Sequence, residues 1–424
     1  MSCMNVTETW SVRPAALALD GLFGLIGEEP FALLHGEGRW WVFAEGPLVE
    51  LGEPDPSGYV FDRRGDLPEL LPDFIGFATY EWSRHLDPLM PEPLPRPFPF
   101  PDFRFVLYRR VLVFDREAGR VHEGLRSGPQ AQPRRNLLGG GAFRARKVWD
   151  SDGAEGYAAK VALIREEIAR GNVYQVNLSR QEGWAFEGDL RDFARRLAAM
   201  NPAPFSAFIV DEDHAVVSSS PERFVSLDGG RLVVQPIKGT APRGRDPEED
   251  AALMAELLAC GKNNAELAMI ADLLRNDLTR ACEVPSVKVE ACPALESFAN
   301  VHHLVATLSG LARPGLSLAA LLAALFPGGS ITGCPKLAAM ALIRELESQP
   351  RMVYTGALGW FTHDFSRLDL SIAIRTAFGN ARELRFGVGG GVVWDSDPEA
   401  EYEETLHKGA SLVACLESFG GGAS

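Results

Sequence analysis

Lys238 stands in Gln235-Pro236-Ile237-Lys238-Gly239-Thr240-Ala241-Pro242-Arg243-Gly244, directly after a short apolar run, Arg231 to Val234. Proline fixes φ and glycine frees it, so the stretch predicts a shaped loop. An amine at the end of an apolar strand, beside a backbone that a ligand can approach, suits covalent nucleophilic catalysis. Taken alone, a loop lysine is a solvated surface group. Upstream, Ser220-Pro221-Glu222-Arg223-Phe224 supplies a second candidate. Taken alone, Glu222 too reads as a surface glutamate.

Glu401, Glu404 and Lys408 recur at intervals of three and four, on one face of a helix predicted from about Glu399 to Leu416. Glu–Lys pairs at that spacing are ordinary on surfaces. Here Gly387-Val388-Gly389-Gly390-Gly391 lies just upstream, a backbone that can come close to a carboxylate. Val301-His302-His303-Leu304-Val305 places its two histidines on opposite faces of a strand, so one at most serves a given site. Gly328-Gly329-Ser330-Ile331-Thr332-Gly333-Cys334-Pro335-Lys336 has the glycines of a phosphate loop. Pro335 breaks the Gly-Lys-Ser/Thr ending such a loop requires, although backbone donors at a helix start still suit an anion. Tyr354 would be a buried strand aromatic, and Arg375 offers a planar fork for a carboxylate.

Together these segments resemble the chorismate-utilising enzymes, densely from Tyr174 to Lys408 and thinly over residues 1 to 150. The lysine form of the Pro-Ile-Lys-Gly-Thr loop resembles the aminodeoxychorismate synthase branch, where anthranilate synthases have alanine. The resemblance implies that Lys238 attacks the ring of chorismate while Glu222 protonates the departing hydroxyl. It implies Mg²⁺ on the ring carboxylate, held by Glu266, Glu401 and Glu404, a set that suits this oxygen-seeking ion. Gln175, Gly239, Thr240, His303, Ser330, Thr332, Tyr354, Arg375, Gly389, Gly390, Gly391 and Lys408 would bind substrate. Isochorismate and salicylate synthases have a water-activating lysine at the place of Gln175, so glutamine points to the ammonia-using branches. Ammonia would then come from a separate glutamine amidotransferase subunit. Two departures stand out. Asn263 replaces an acid common in relatives, and Leu33-Leu34-His35-Gly36 replaces the Leu-Leu-Glu-Ser motif that helps bind tryptophan, so tryptophan inhibition is not expected. The alternatives are an anthranilate synthase component I and a non-catalytic chorismate-binding homologue, which would have lost several of Lys238, Glu222, Glu266 and Glu404.

The elements that must position these residues are strands and helices in separate clusters. Strands are predicted at Arg39–Ala44, Phe74–Glu81, Phe103–Phe114, Val173–Leu178, Phe205–Val210, Ala215–Ser218, Val353–Phe361, Leu368–Ala377 and Leu384–Val388. Helices are predicted at Ala154–Arg170, in two pieces over Glu248–Ala281, at Leu318–Phe326, and at Lys336–Leu346 with Pro335 in its first turn. This is an α+β chain with large mixed or antiparallel sheets packed with helices. The expected organisation is an N-terminal subdomain over 1–125, a linker over 126–150 and a chorismate-binding catalytic domain over 151–420.

A net charge of −15 argues against nucleic acid or an anionic membrane as partner. The six cysteines form no CxxC pair and no zinc-type spacing. Leu316 to Phe326 is too short to span a bilayer. A cytoplasmic protein is expected.

Overall fold

The computed structural model describes residues 4–420 apart from 16–17, 37, 129–133 and 299–300. Its strands form one hydrogen-bonded network. One path begins at Arg144–Asp150 and runs through Gln175–Glu187, Glu383–Val392, Thr376–Gly379, Ala215–Ser220 and Phe205–Val210. It continues into Phe31–His35, Trp40–Leu51 and Phe103–Asp115, all antiparallel. From there it passes through Phe74–Ala78, Ala357–Phe361, Leu368–Ile372, Arg223–Asp228 and Arg231–Gln235 to Val301–Leu311. The one parallel pairing among the described strands joins Met4–Pro14 to Tyr59–Gly65. The expected α+β class, with large and mainly antiparallel sheets, is the observed one.

Three helices carry the site. Asp397 caps Pro398–Glu417 by accepting from the N–H groups of Glu399 and Ala400, with Pro398 in the first turn. Its buried stripe runs Glu401, Thr405, Gly409, Leu412, Leu416, so a carboxylate occupies the first turn of an otherwise apolar face. Gly261–Ala281 buries Leu267, Ile270, Ala271, Leu274, Leu278 and Ala281 in one hydrophobic cluster, which leaves Glu266 on the shoulder of that face. Lys336–Leu346 is tied to it by an ion pair, Lys336 Nζ to Asp277 Oδ2 at 2.8 Å.

The structure corrects several local expectations. Strand Arg144–Asp150 and the end of strand Arg120–Ser127 lie within the stretch 126–150 read as a linker. Their polar residues alternate with few apolar ones, which hid the period. The Lys238 stretch is strand Ile237–Pro242 rather than a loop. The strand expected at Leu384–Val388 runs on through the glycines to Val392, because its ladder with Gln175–Glu187 continues that far. Tyr354 lies in a turn between Met352 (φ 51°) and Thr355 (φ 62°), and Pro335 caps its helix rather than entering it.

Leu278→Ala removes a fully buried side chain from the face that seats Glu266. Chemical denaturation should show a loss of about 2–5 kcal/mol. A loss well under 1 kcal/mol would mean that this face is not the core contact described.

Candidate active site

Lys238 projects from a bulge. Strand Ile237–Pro242 pairs with Val301–Leu311, but Ile237 faces Val305 while Thr240 faces His303, so one extra residue is inserted. Gly239 absorbs it at φ 79°, where a side chain would also strike Asn263 Nδ2 at 2.7 Å. Lys238 Nζ lies 3.9 Å from Glu266 Oε2, and Lys262 Nζ lies 4.0 Å from Glu266 Oε1. Burial first, then the nearby Lys408 charge, lower the Lys238 pKa; Glu266, Glu222 and Glu404 oppose this.

Glu222 is buried and accepts a 2.9 Å hydrogen bond from Ser330 Oγ. Burial raises its pKa to about 7, against the Ser330 bond and the Lys238 charge. The acid expected to donate a proton is therefore half protonated near neutrality. Arg375, at φ 49°, feels the Glu222 charge, and among the described residues its guanidinium has no hydrogen-bond or ion-pair partner.

Gly390 and Gly391 face opposite ways. A Cβ on Gly390 would stand 3.0 Å from Glu401 Oε2 and 3.5 Å from Glu404 Oε1. On Gly391 it would stand 2.6 Å from Gln175 Nε2 and 3.4 Å from Lys238 Nζ. Gln175 is buried with both ends of its amide unpartnered, so it is free for a bound molecule. Lys408 Nζ reaches Glu404 Oε1 at 2.5 Å and the Gly389 carbonyl at 3.1 Å. Burial would raise the Glu404 pKa, but Lys408 outweighs it and the net shift is down. Burial raises that of Glu401, whose Oε1 accepts from Ser396 Oγ at 2.6 Å while Oε2 has no partner.

An orphaned buried oxygen, a neighbouring ionised carboxylate and a glycine gap beside both fit a hard divalent cation such as Mg²⁺. Glu266 sits on the lysine side, and no group of three or more acids, histidines or cysteines among the described residues is already gathered to hold a metal.

His303 joins Thr240, Nδ1 to Oγ1 at 2.9 Å, and burial holds its pKa at about 4, so it is neutral. His302 points the other way, to Ser297 and Asp250, as expected of a structural partner. Thr332 is buried, with Oγ1 turned back on the Gly328 carbonyl rather than into the site. Tyr354 lies against Gly387, where a Cβ would come within 2.4 Å of its ring. Leu34 and Gly36 line a separate cavity of about 280 Å³ with Trp40, Phe205 and Trp360. Ser396, Glu347 and Arg351 were not singled out in the sequence.

Residues 49–414 match the chorismate binding enzymes. The chain belongs to that family. The chorismate-binding chain is 36% identical over 410 residues to aminodeoxychorismate synthase component 1 of Klebsiella aerogenes, covering 93% of this chain and 90% of that one. It is 35% identical over 394 residues to anthranilate synthase component 1 of Pseudomonas aeruginosa, covering 85% and 80%. An aminodeoxychorismate synthase of Streptomyces griseus is 45% identical over 267 residues, 62% of this chain but only 36% of that longer protein. The crystal structure of anthranilate synthase component I from Streptococcus pneumoniae superposes with TM-score 0.69 at 26% identity, covering 94% and 91%. Among the described residues, no helix of this chorismate-binding enzyme is long and apolar enough to cross a membrane.

The raised Glu222 pKa has a measurable consequence. The unfolded chain releases this proton near 4.5 and the folded chain near 7, so wild-type stability falls relative to Glu222→Gln as pH rises between those values. At ~1.4 kcal/mol per pKa unit the difference is on the order of 3 kcal/mol. Denaturation curves at pH 4.5 and 7.5 check it. An unchanged gap between wild type and variant would contradict the burial of an ionisable Glu222.

Proposed function

We propose that this chain is an aminodeoxychorismate synthase component, replacing the 4-hydroxyl of chorismate by an amino group. The observation that carries the reading is Lys238 itself, a pKa-lowered amine on a bulge within reach of Glu266 and beside the Gly391 gap. Anthranilate synthases resemble this site but have alanine there.

In the first step the neutral Lys238 amine forms a bond to ring carbon 2 and the ring double bonds shift. The C4–O bond breaks, and the hydroxyl leaves as water with the proton of Glu222. The ammonium proton on the lysine nitrogen passes back to the carboxylate or to solvent. In the second step ammonia bonds to carbon 4, the double bonds return and the lysine–carbon bond breaks, the departing lysine nitrogen taking a proton from Glu222 and the new C4 ammonium giving one up to the resulting carboxylate. One hard substitution becomes two easier ones. Glu401 and Glu404, with Glu266, would hold Mg²⁺, which supplies positive charge for the ring carboxylate. Arg375 and Tyr354 would take the enolpyruvyl group, the unpaired guanidinium serving its carboxylate. Gln175, with its free amide, would face ammonia or the ring hydroxyl. The relatives are named component 1, which supports a separate partner, an amidotransferase subunit, as the ammonia source.

The second reading is an anthranilate synthase component 1, supported by the Pseudomonas aeruginosa relative at nearly the same identity. Purified chain with chorismate, Mg²⁺ and an ammonium salt separates the two. Aminodeoxychorismate is expected, with Glu222→Gln slowed by roughly 10²–10⁴-fold, the range for a lost general acid. Anthranilate with pyruvate would establish the second reading instead.

A further inference from the structure

Arg351 belongs to none of the groups expected to touch substrate, yet it ties together three segments of the site. Its side chain is 1% exposed. Nε and Nη2 form a fork on Glu347 at 2.9 and 2.6 Å. Nη1 donates to the Ile331 carbonyl at 2.8 Å and Nη2 to the Asn177 carbonyl at 2.6 Å, with Thr355 Oγ1 at 3.4 Å from Nη1. Glu347 in turn accepts from both the N–H and the Oγ of Ser179, each at 2.8 Å.

Each gripped group is next to a site residue. Ile331 follows Ser330, the hydrogen-bond donor to Glu222. Asn177 lies two residues beyond Gln175, and its N–H donates to the Thr332 carbonyl at 2.8 Å. Thr355, a β-branched residue held at φ 62°, follows Tyr354. A buried ion pair is weak evidence for stability, since an apolar pair often serves as well. An apolar pair could not bond two backbone carbonyls on different segments. The planar fork with five donors can.

We propose that Arg351, oriented by Glu347, is a positioning residue for the catalytic acid: it locks the Ser330 segment and the Gln175 strand into one frame around Glu222. This rests on the reading of Glu222 as the acid. Arg351→Lys keeps the charge and loses the fork, so one segment is released.

The test compares Arg351→Lys and Ser330→Ala with the wild type in the full chain. Hydrogen exchange should quicken in residues 175–179 and 328–335 of the Arg351 variant and stay unchanged in helix 261–281. kcat should fall by about 10²-fold, the scale of an ångström misplacement, while KM for chorismate changes far less. An acid must be protonated, so activity falls as pH rises through the Glu222 pKa. Losing the Ser330 bond removes an interaction that favours the ionised form, which moves this alkaline limb to higher pH in both variants. Lys238, Lys408 and Arg375 face Glu222 in both variants alike. A folded Arg351→Lys with unaltered exchange in the two segments and an unmoved limb overturns the proposal, whatever its Tm. If that variant does not fold, Glu347→Gln, which keeps the arginine, is read by the same criteria. Exchange needs no turnover, so failure of the wild type to aminate chorismate would remove the functional reading while the positioning role is still decided by exchange.

Discussion

The arrangement depends on the absence of side chains at Gly390 and Gly391. Successive strand residues face opposite ways, so one glycine opens space for Glu401 and Glu404 while the next opens space for Gln175 and Lys238. An alanine at either place would put a methyl group 3.0 Å or less from a functional atom. The strand is fixed by its ladder to Gln175–Glu187, so the acids and the amine are brought together by backbone pairing and not by adaptable side chains. The same ladder sets Asn177 opposite Gly391, and Gln175, two residues earlier, brings its unpartnered side-chain amide up to that glycine.

Around that gap, burial acts on two groups of opposite charge type. It raises the pKa of Glu222 and lowers that of Lys238, which drives both toward their neutral forms. A neutral amine and a protonated acid are the states that the proposed nucleophile and general acid require, and a single physical cause shifts both in that direction. The carboxylates on the other side are handled differently. Lys408 keeps Glu404 ionised, while Glu401 keeps one buried oxygen free. The segments holding these parts are tied together by polar side chains bonded to backbone, as Arg351 is to Ile331 and Asn177.

Much of this was legible in the sequence. The spacing of Glu401, Glu404 and Lys408 placed them on one helix face, and the alternation rule separated His303 from His302. Apolar strand runs and the α+β class could be read because burial imposes a period. What the sequence hid was register. Lys238 and Gly239 look like a loop because proline and glycine punctuate both loops and bulged strands, and only the pairing with Val305 and His303 distinguishes them. The strand Arg144–Asp150 was missed because its exposed arginine and lysine residues mask a single buried alanine, Ala145. Arg351 was missed because an i,i+4 pair with Glu347 looks the same on a surface or in a core. Its importance comes from carbonyls far away in the chain.

The central claim is that Lys238 becomes covalently joined to the substrate. Acid-quenched chain, incubated with chorismate and Mg²⁺ but without any ammonia source, can be weighed intact and then mapped by peptide mass spectrometry. The account predicts an adduct of chorismate less one water on the peptide carrying Lys238, discharged when an ammonium salt is added before the quench. Formation of the aminated product at full rate by Lys238→Ala, or an adduct located at another lysine, would contradict it.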